Sequence, residues 1–205
     1  MANIKKDEIR SEVYDWALNL YKKGYKYPSI ILLLSTWNFA YFRYILKDFN
    51  FKNFKKDFKK LNNDFRIFEN KGFKDIDLND KEIEARIKRI YTTLSEAGSV
   101  HGIKRSGIKP VGATKVMHLV NPNFFVMWDN GIISHYKKDT KKNRKSIGKI
   151  DNSANGYFNF MRLMQKLYKE GKFKSQKFSR DKSKNGIPRA IDLYNLRWQS
   201  GKNNG

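Results

Sequence analysis

The chain has 205 residues, and its 43 lysines and arginines outnumber 20 acidic residues to give a formal net charge of +23. Hydrophobic residues make up 40% and aromatic residues 15% of the chain, which excludes a wholly disordered protein. There is no cysteine, so disulfides, thiolate metal sites and a cysteine nucleophile are excluded. The charge predicts a polyanionic partner, and nucleic acid is the simplest one.

Metal, cofactor and membrane binding are not expected. The three histidines (His101, His118 and His135) are few and irregularly spaced, so no zinc site and no cofactor are predicted. The first residues have no apolar signal segment, and the most apolar stretch, 30–46, is too short and too polar to span a membrane. We therefore expect a cytoplasmic, nucleoid-associated protein.

Helical periodicity runs along most of the chain, and no segment alternates with period two. These patterns predict an all-α fold, in which residues 1–199 form one domain that can divide into two subdomains and residues 200–205 form a flexible tail. Two lysine-rich stretches, 137–149 and 172–184, are predicted to be loops. The predicted helices cover 7–23, 29–46, 51–68, 79–97, 111–120, a segment that begins after Asp129, 157–168 and 188–198.

Phenylalanines and one leucine recur at helical spacing between Phe51 and Phe68. Such a seam could stack on nucleic-acid bases, but packing in the core is the favoured interpretation. Lysines occupy the other face of the predicted helix.

The segment 106–132 carries the most specific chemical signal. Residues 108–112 form a tight turn that precedes a helix with a small, polar first turn. Such a turn points backbone N–H groups and the positive end of the helix dipole towards an anion, for example a DNA phosphate. The contact would supply affinity without reading the sequence.

Lys115 and Asp129 are the candidate catalytic residues in this segment. The helix dipole and the surrounding positive charge favour a neutral, nucleophilic amine at Lys115, which could form a Schiff base with a sugar carbon. The carboxylate of Asp129 could stabilise positive charge at C1′ or accept a proton. The alternatives are a surface lysine and an ordinary helix N-cap.

The segment resembles the helix-hairpin-helix DNA glycosylase superfamily, which includes oxoguanine glycosylases and endonuclease III-like enzymes. The residue types of the family's hairpin motif are matched by Pro110, Val111, Gly112, Thr114 and Lys115. As in the family, an aspartate, Asp129, follows an apolar segment. The resemblance implies two helical halves around a cleft and a helix-hairpin-helix motif. It also implies base-excision glycosylase activity with an associated lyase step, with Lys115 as nucleophile and Asp129 as the completing carboxylate.

The expected partner is double-stranded DNA that contains a damaged base, bound by a monomer. Three residues near the catalytic pair could line the pocket for an extruded base, although a packing role is the favoured interpretation for each: His118, Phe125 and Trp128. The residues expected to contact DNA are Lys109, Val111, Gly112, Thr114, Lys137, Lys138 and Lys141. The alternative function is a non-enzymatic nucleic-acid-binding protein that uses the same turn and charge.

Overall fold

The computed structural model describes residues 2–101, 107–173 and 175–199, and the side chains of 11–101, 107–137, 147–173, 175–179, 181–182 and 186–197. Within these ranges the chain contains helices and no strands, which confirms the all-α class. The predicted tail at 200–205 lies outside the described residues. The helices are α1 (Ala2–Lys22), α2 (Lys26–Trp37), α3 (Phe39–Ile45), α4 (Phe51–Lys60), α5 (Asn62–Arg66), α6 (Lys81–Glu96), α7 (Lys109–Val120), α8 (Asn130–Ile147), α9 (Ala154–Lys169), α10 (Gln176–Asn185) and α11 (Ile187–Gln199), with a 3-10 turn at Leu46–Asp48.

Helix α7 lies at the centre of the packing. Helices α1 and α2 pack along each other and both contact α7, while α6 packs along α7 and α9. Helix α11 packs on α10 and α8. All residues of α7 from Gly112 to Leu119 are buried, and the buried apolar side chains form one connected core. The polar side chains of Thr114, Lys115 and His118 on α7 are therefore held inside the protein.

The helix predicted over 29–46 is divided at Asn38. Its N–H donates to the Leu34 carbonyl, while its own carbonyl accepts from Tyr41 and Phe42. Asn38 thus ends α2 and begins α3, with non-helical φ −127° and ψ 26°. The two segments are bent by 117° at this point. The prediction of one continuous helix was wrong because the asparagine closes one helix and opens another.

The phenylalanine seam is mostly core, as the favoured interpretation predicted. Helices α4 and α5 replace the single predicted helix, with a break at Leu61, whose N–H bonds to the Phe58 carbonyl. The side chains of Phe54, Phe58, Leu61, Phe65 and Phe68 are buried. Phe51 is 43% exposed and does not belong to the core.

The two basic stretches are largely helical, so the loop prediction was wrong. Helix α8 continues through the first stretch to Ile147, and α10 covers Gln176–Asn185 in the second. Lysine and arginine are good helix formers because their long chains keep their rotamer freedom on an exposed helix face. The buried side chains of Ile132, Ile133 and Tyr136 hold the start of α8 against the core.

Among the described residues, no single helix has the length and apolar composition needed to cross a membrane. The segments Lys26–Trp37 and Phe39–Asp48 together have the required length and apolar composition, but the chain bends sharply between them at Asn38.

Candidate active site

The chain reaches α7 through two residues with left-handed backbone conformation. Gly107 has φ +90° and Lys109 has φ +58°. The N–H of Ile108, between them, donates to the Ala97 carbonyl at 3.2 Å and ties the turn to the end of α6. A left-handed conformation costs a non-glycine residue roughly 1–2 kcal/mol, and such strain concentrates at functional sites. Lys109 and Val111 are partly exposed at this turn. The hairpin motif itself stays a prediction.

Gly112 and Thr114 are buried, which does not agree with their predicted contact with phosphate. A Cβ atom at Gly112 would lie 3.2 Å from the Asn38 Nδ2 atom and 3.3 Å from Leu34 Cδ2. The glycine therefore allows α7 to approach α2 closely. The Thr114 hydroxyl donates to the Val111 carbonyl at 3.0 Å and lies 3.5 Å from the Trp128 amide. Both residues serve packing in this conformation, because neither has solvent access.

Lys115 is buried, with 5% of its surface exposed. Its Nζ atom lies 5.9 Å from the ring centroid of Trp37, which is half-buried on α2. Lysine is almost never fully buried unless a negative charge compensates it. The burial of Lys115 excludes the interpretation of an ordinary surface lysine.

Two charged residues of α11 lie beside Lys115. Arg189 and Asp192 form an ion pair whose side chains are each 4% exposed. The Arg189 guanidinium also lies 4.4 Å from the ring centroid of Trp37 and 4.6 Å from that of Tyr14. This stacking joins α1, α2 and α11 around one buried cation. We refer to Lys115, Asp129, Arg189 and Asp192 as the charge cluster.

The charges that act on Asp192 include those of both predicted catalytic residues. Burial raises the pKa of Asp192, the positive charges of Arg189 and Lys115 oppose that rise, and the negative charge of Asp129 adds to it. Lys115 and Asp129 therefore both lie within electrostatic range of the same buried carboxyl group. A buried carboxyl group with a raised pKa is typical of sites that move protons.

Asp129 caps α8, as predicted. Its Oδ1 atom accepts from the Ile132 amide at 2.8 Å, and the residue is half-buried. A carboxylate at the N-terminus of a helix is stabilised by the exposed N–H groups and by the dipole. The cap fixes the position of the carboxylate beside the cluster, so the structural and the catalytic roles are compatible.

His118 has no exposed surface, and its two ring nitrogens connect α7 by hydrogen bonds to α1 and to the segment that follows α7. Its Nδ1 atom lies 2.6 Å from the Phe125 carbonyl, and its Nε2 atom lies 2.6 Å from the Tyr14 hydroxyl. Because a carbonyl only accepts, Nδ1 carries the proton and Nε2 accepts from the tyrosine. The pKa of His118 is lowered to about 3, mainly by burial and also by the charges of Arg189 and Lys115, while the hydrogen bond to Phe125 opposes the shift. The imidazole is therefore neutral and structural.

The other predicted pocket residues also belong to the core. Trp128 has no exposed surface and packs edge-on against Tyr157, with ring centroids 5.1 Å apart. Phe125 is equally buried and packs against Phe68 at 5.2 Å. The Trp128 Nε1 atom is buried without a hydrogen-bond partner among the described residues. His118, Phe125 and Trp128 are thus core side chains and line no open pocket.

The predicted DNA contacts on the basic stretch lie on α8. Lys137 is exposed there. The side chains of Lys138 and Lys141 lie outside the described residues, and their contact with DNA stays a prediction.

Arg189, Asp192, Tyr14 and Trp37 were not predicted as site residues. A signal for the first two exists in α11, where the polar residues 189, 192 and 195 recur at helical spacing and are buried. Leu193 and Leu196 on the same helix are less buried than this polar stripe. A buried polar stripe is informative because such groups must find partners. The sequence alone does not identify this stripe as a site, because it does not show which face of α11 is turned towards the core.

Comparisons of the chain with protein-family models, with curated proteins and with solved structures give no match. Within the described part of the chain, no group of three or more histidine, aspartate or glutamate side chains could hold a metal ion. The site is therefore interpreted from its own residues.

Proposed function

We propose that the protein is a base-excision DNA glycosylase with an associated lyase step, in which Lys115 is the nucleophile. The observation that carries the proposal is the burial of Lys115, 5% exposed, in a cluster with the carboxyl groups of Asp129 and Asp192. Burying a charged lysine costs several kcal/mol unless it is compensated, so a purely structural role would favour an apolar residue here. A lysine whose proton can pass to a nearby carboxylate is suited to nucleophilic attack.

The proposed reaction uses only residues of the cluster. The carboxylate of Asp192 takes the proton from the Lys115 ammonium group, which leaves the negative charge of Asp129 in place. The amine then attacks C1′ of the nucleotide, the N-glycosidic bond breaks, and the base leaves with the bonding electrons. Negative charge on Asp129 stabilises the positive charge that develops at C1′. Opening of the sugar ring moves one amine proton to O4′ and gives a Schiff base between Lys115 and C1′. Loss of the C2′ proton to a carboxylate of the cluster then breaks the C3′–O bond and releases the 3′ phosphate in the lyase step.

The substrate would approach Lys115 past Trp37. This tryptophan is half-buried, and its ring lies over the lysine amine. Trp37 and Arg189 meet at 4.4 Å, and in the proposed enzyme the α1–α2 pair and α11 would part at this contact to admit the substrate. A partly exposed aromatic ring at such a position could stack on an extruded base. This position replaces the pocket expected around His118, Phe125 and Trp128.

A non-enzymatic nucleic-acid-binding protein is the second candidate. The net charge of +23 favours it, because charge alone gives affinity for a phosphate backbone. It would assign the charge cluster to structure and predict no covalent adduct with DNA.

Borohydride trapping on duplexes with different damaged bases tests the proposal. Wild-type protein is expected to form a covalent adduct with at least one duplex. Lys115→Gln should abolish that adduct and keep DNA affinity within about twofold, because one of 43 basic residues contributes little to the total field. Lys109→Gln is the matched control on the same helix and should keep the adduct. Thermal unfolding of each variant shows that the fold is retained.

An adduct that persists in Lys115→Gln would refute Lys115 as the nucleophile. If wild-type protein binds duplex DNA but gives neither an adduct nor a released base with any duplex, the binding-protein function replaces the proposed one.

A further inference from the structure

Helix α4 has two faces of opposite character. Phe54 and Phe58 on one face are buried against the core. The other face carries Lys52, Lys55, Lys56 and Lys59, which line a groove of about 530 Å³. We refer to these four residues as the lysine ladder. The one acidic residue of α4, Asp57, pairs instead with Lys60 at 2.7 Å, outside the ladder.

The spacing of the ladder fits a nucleic-acid strand. From Lys52 to Lys59 the helix rises by about 10.5 Å at ~1.5 Å per residue. Three nucleotides of one strand cover about the same length, at ~3.4 Å each along the helix axis of the duplex. The ladder is therefore long enough for its ammonium groups to reach more than one phosphate of a strand rather than a single anion.

Aromatic side chains adjoin the ladder. Phe51 is 43% exposed and precedes Lys55 by one helical turn, so the two share a face of α4. The Phe49 ring, 4.9 Å away, packs edge-on against Phe51 and holds its position. The Nζ atom of Lys55 lies 5.3 Å from the ring centroid of Tyr27. Lysines that alternate with an exposed aromatic ring are typical of surfaces that bind phosphates and stack on bases.

We propose that the lysine ladder of α4 binds the phosphate backbone of a nucleic-acid strand, and that Phe51 stacks on a base of that strand. This surface is separate from α7 and from the charge cluster. It does not depend on Lys115 being a nucleophile, and it would serve the enzyme and the binding protein alike.

Binding of oligonucleotides at several salt concentrations tests the ladder. The variant Lys52→Gln/Lys55→Gln/Lys56→Gln/Lys59→Gln is compared with a control that removes the same charge from dispersed exposed lysines, Lys22→Gln/Lys71→Gln/Lys169→Gln/Lys172→Gln. Each phosphate contact adds about 0.9 to the slope of log K against log salt for duplex and ~0.7 for single strands. The ladder variant should lose about 3 units of slope and at least tenfold in affinity, whereas the control should lose less than about 1 unit.

Two further measurements keep the test decisive. Acetylation of the wild-type protein, read by mass spectrometry, should show Lys52, Lys55, Lys56 and Lys59 protected by bound DNA even if the fourfold variant does not fold. Phe51→Ala should weaken single-stranded binding without changing the salt slope. Equal salt slopes in the ladder variant and the control, or ladder lysines that bound DNA does not protect, would overturn the proposal. The DNA would then be held by the positive charge of the whole surface and not by the ladder. Ladder-dependent binding to vesicles of phosphatidylcholine and phosphatidylserine, with no ladder dependence for DNA, would overturn it in favour of a membrane surface.

Discussion

Acid should destabilise the protein through His118. The imidazole is fully buried, and its pKa is lowered from an ordinary value of 6.5 to about 3. In the unfolded chain the same histidine takes up a proton near its ordinary pKa. Between these two values the unfolded state binds more protons, so the free energy of unfolding falls as the pH falls through this window.

The magnitude follows from the two pKa values. Acidification from about pH 7 to about pH 5 should lower the free energy of unfolding by ~2 kcal/mol through this histidine alone.

Other groups contribute to the pH dependence in different ways. The pKa values of Asp64, Glu84 and Asp151 are lowered, so they lose their contribution only at more acidic pH. The raised pKa of Asp192 acts in the opposite direction, because its folded form binds a proton more readily. The effect of His118 is therefore measured as the difference in the free energy of unfolding between the wild type and a variant that lacks this histidine.

Denaturant unfolding of wild-type protein and His118→Asn at both pH values measures that difference. Asparagine can still donate to the Phe125 carbonyl but cannot titrate. The stability advantage of the wild type over His118→Asn should shrink by about 2 kcal/mol on acidification. His101→Asn, at an exposed position, is the control and should follow the wild type. A constant difference between wild type and His118→Asn at the two pH values would refute the assignment of a buried, neutral imidazole.

Two substitutions separate structure from chemistry at the other positions. Asp129→Asn should keep the α8 cap and the thermal stability, since asparagine caps helices as well as aspartate does. The same variant should slow base release by roughly 10²–10⁴ in single-turnover assays. An unchanged rate of base release would show that Asp129 serves only as a helix cap. Gly112→Ala should change the free energy of unfolding by less than about 1 kcal/mol, because the gain in helix propensity offsets small shifts of Asn38 and Leu34. Gly112→Leu should destabilise by about 1–3 kcal/mol through overpacking against α2, and equal stability of the two variants in denaturant would contradict that packing.

The sequence alone determined the helical class and several local features. Periodicity of 3.6 residues predicted the helices, and the chemistry of Asp129 as a helix cap was sufficient to predict the start of α8. The spacing of the phenylalanines indicated a core seam, and all of it except Phe51 is buried. These features depend on contacts within a few residues, which local sequence encodes directly.

The bend at Asn38 and the helical course of α8 escaped prediction, because an asparagine and a run of lysines are each compatible with more than one backbone conformation. Their outcome was decided by packing: α2 against Gly112 of α7, and the start of α8 against the core.

Only the tertiary structure decided the surroundings of Lys115. Its partners Trp37 and Arg189 stand 78 residues before it and 74 residues after it in the chain. No local pattern links such distant positions, because their proximity results from the packing of α2 on α7 and from the contact of Arg189 on α11 with Trp37 on α2. The sequence predicted which lysine and which aspartate to consider. The fold determined that this lysine is buried within electrostatic range of the Asp192 carboxyl group, and it determined that the residues expected to form an open pocket are core.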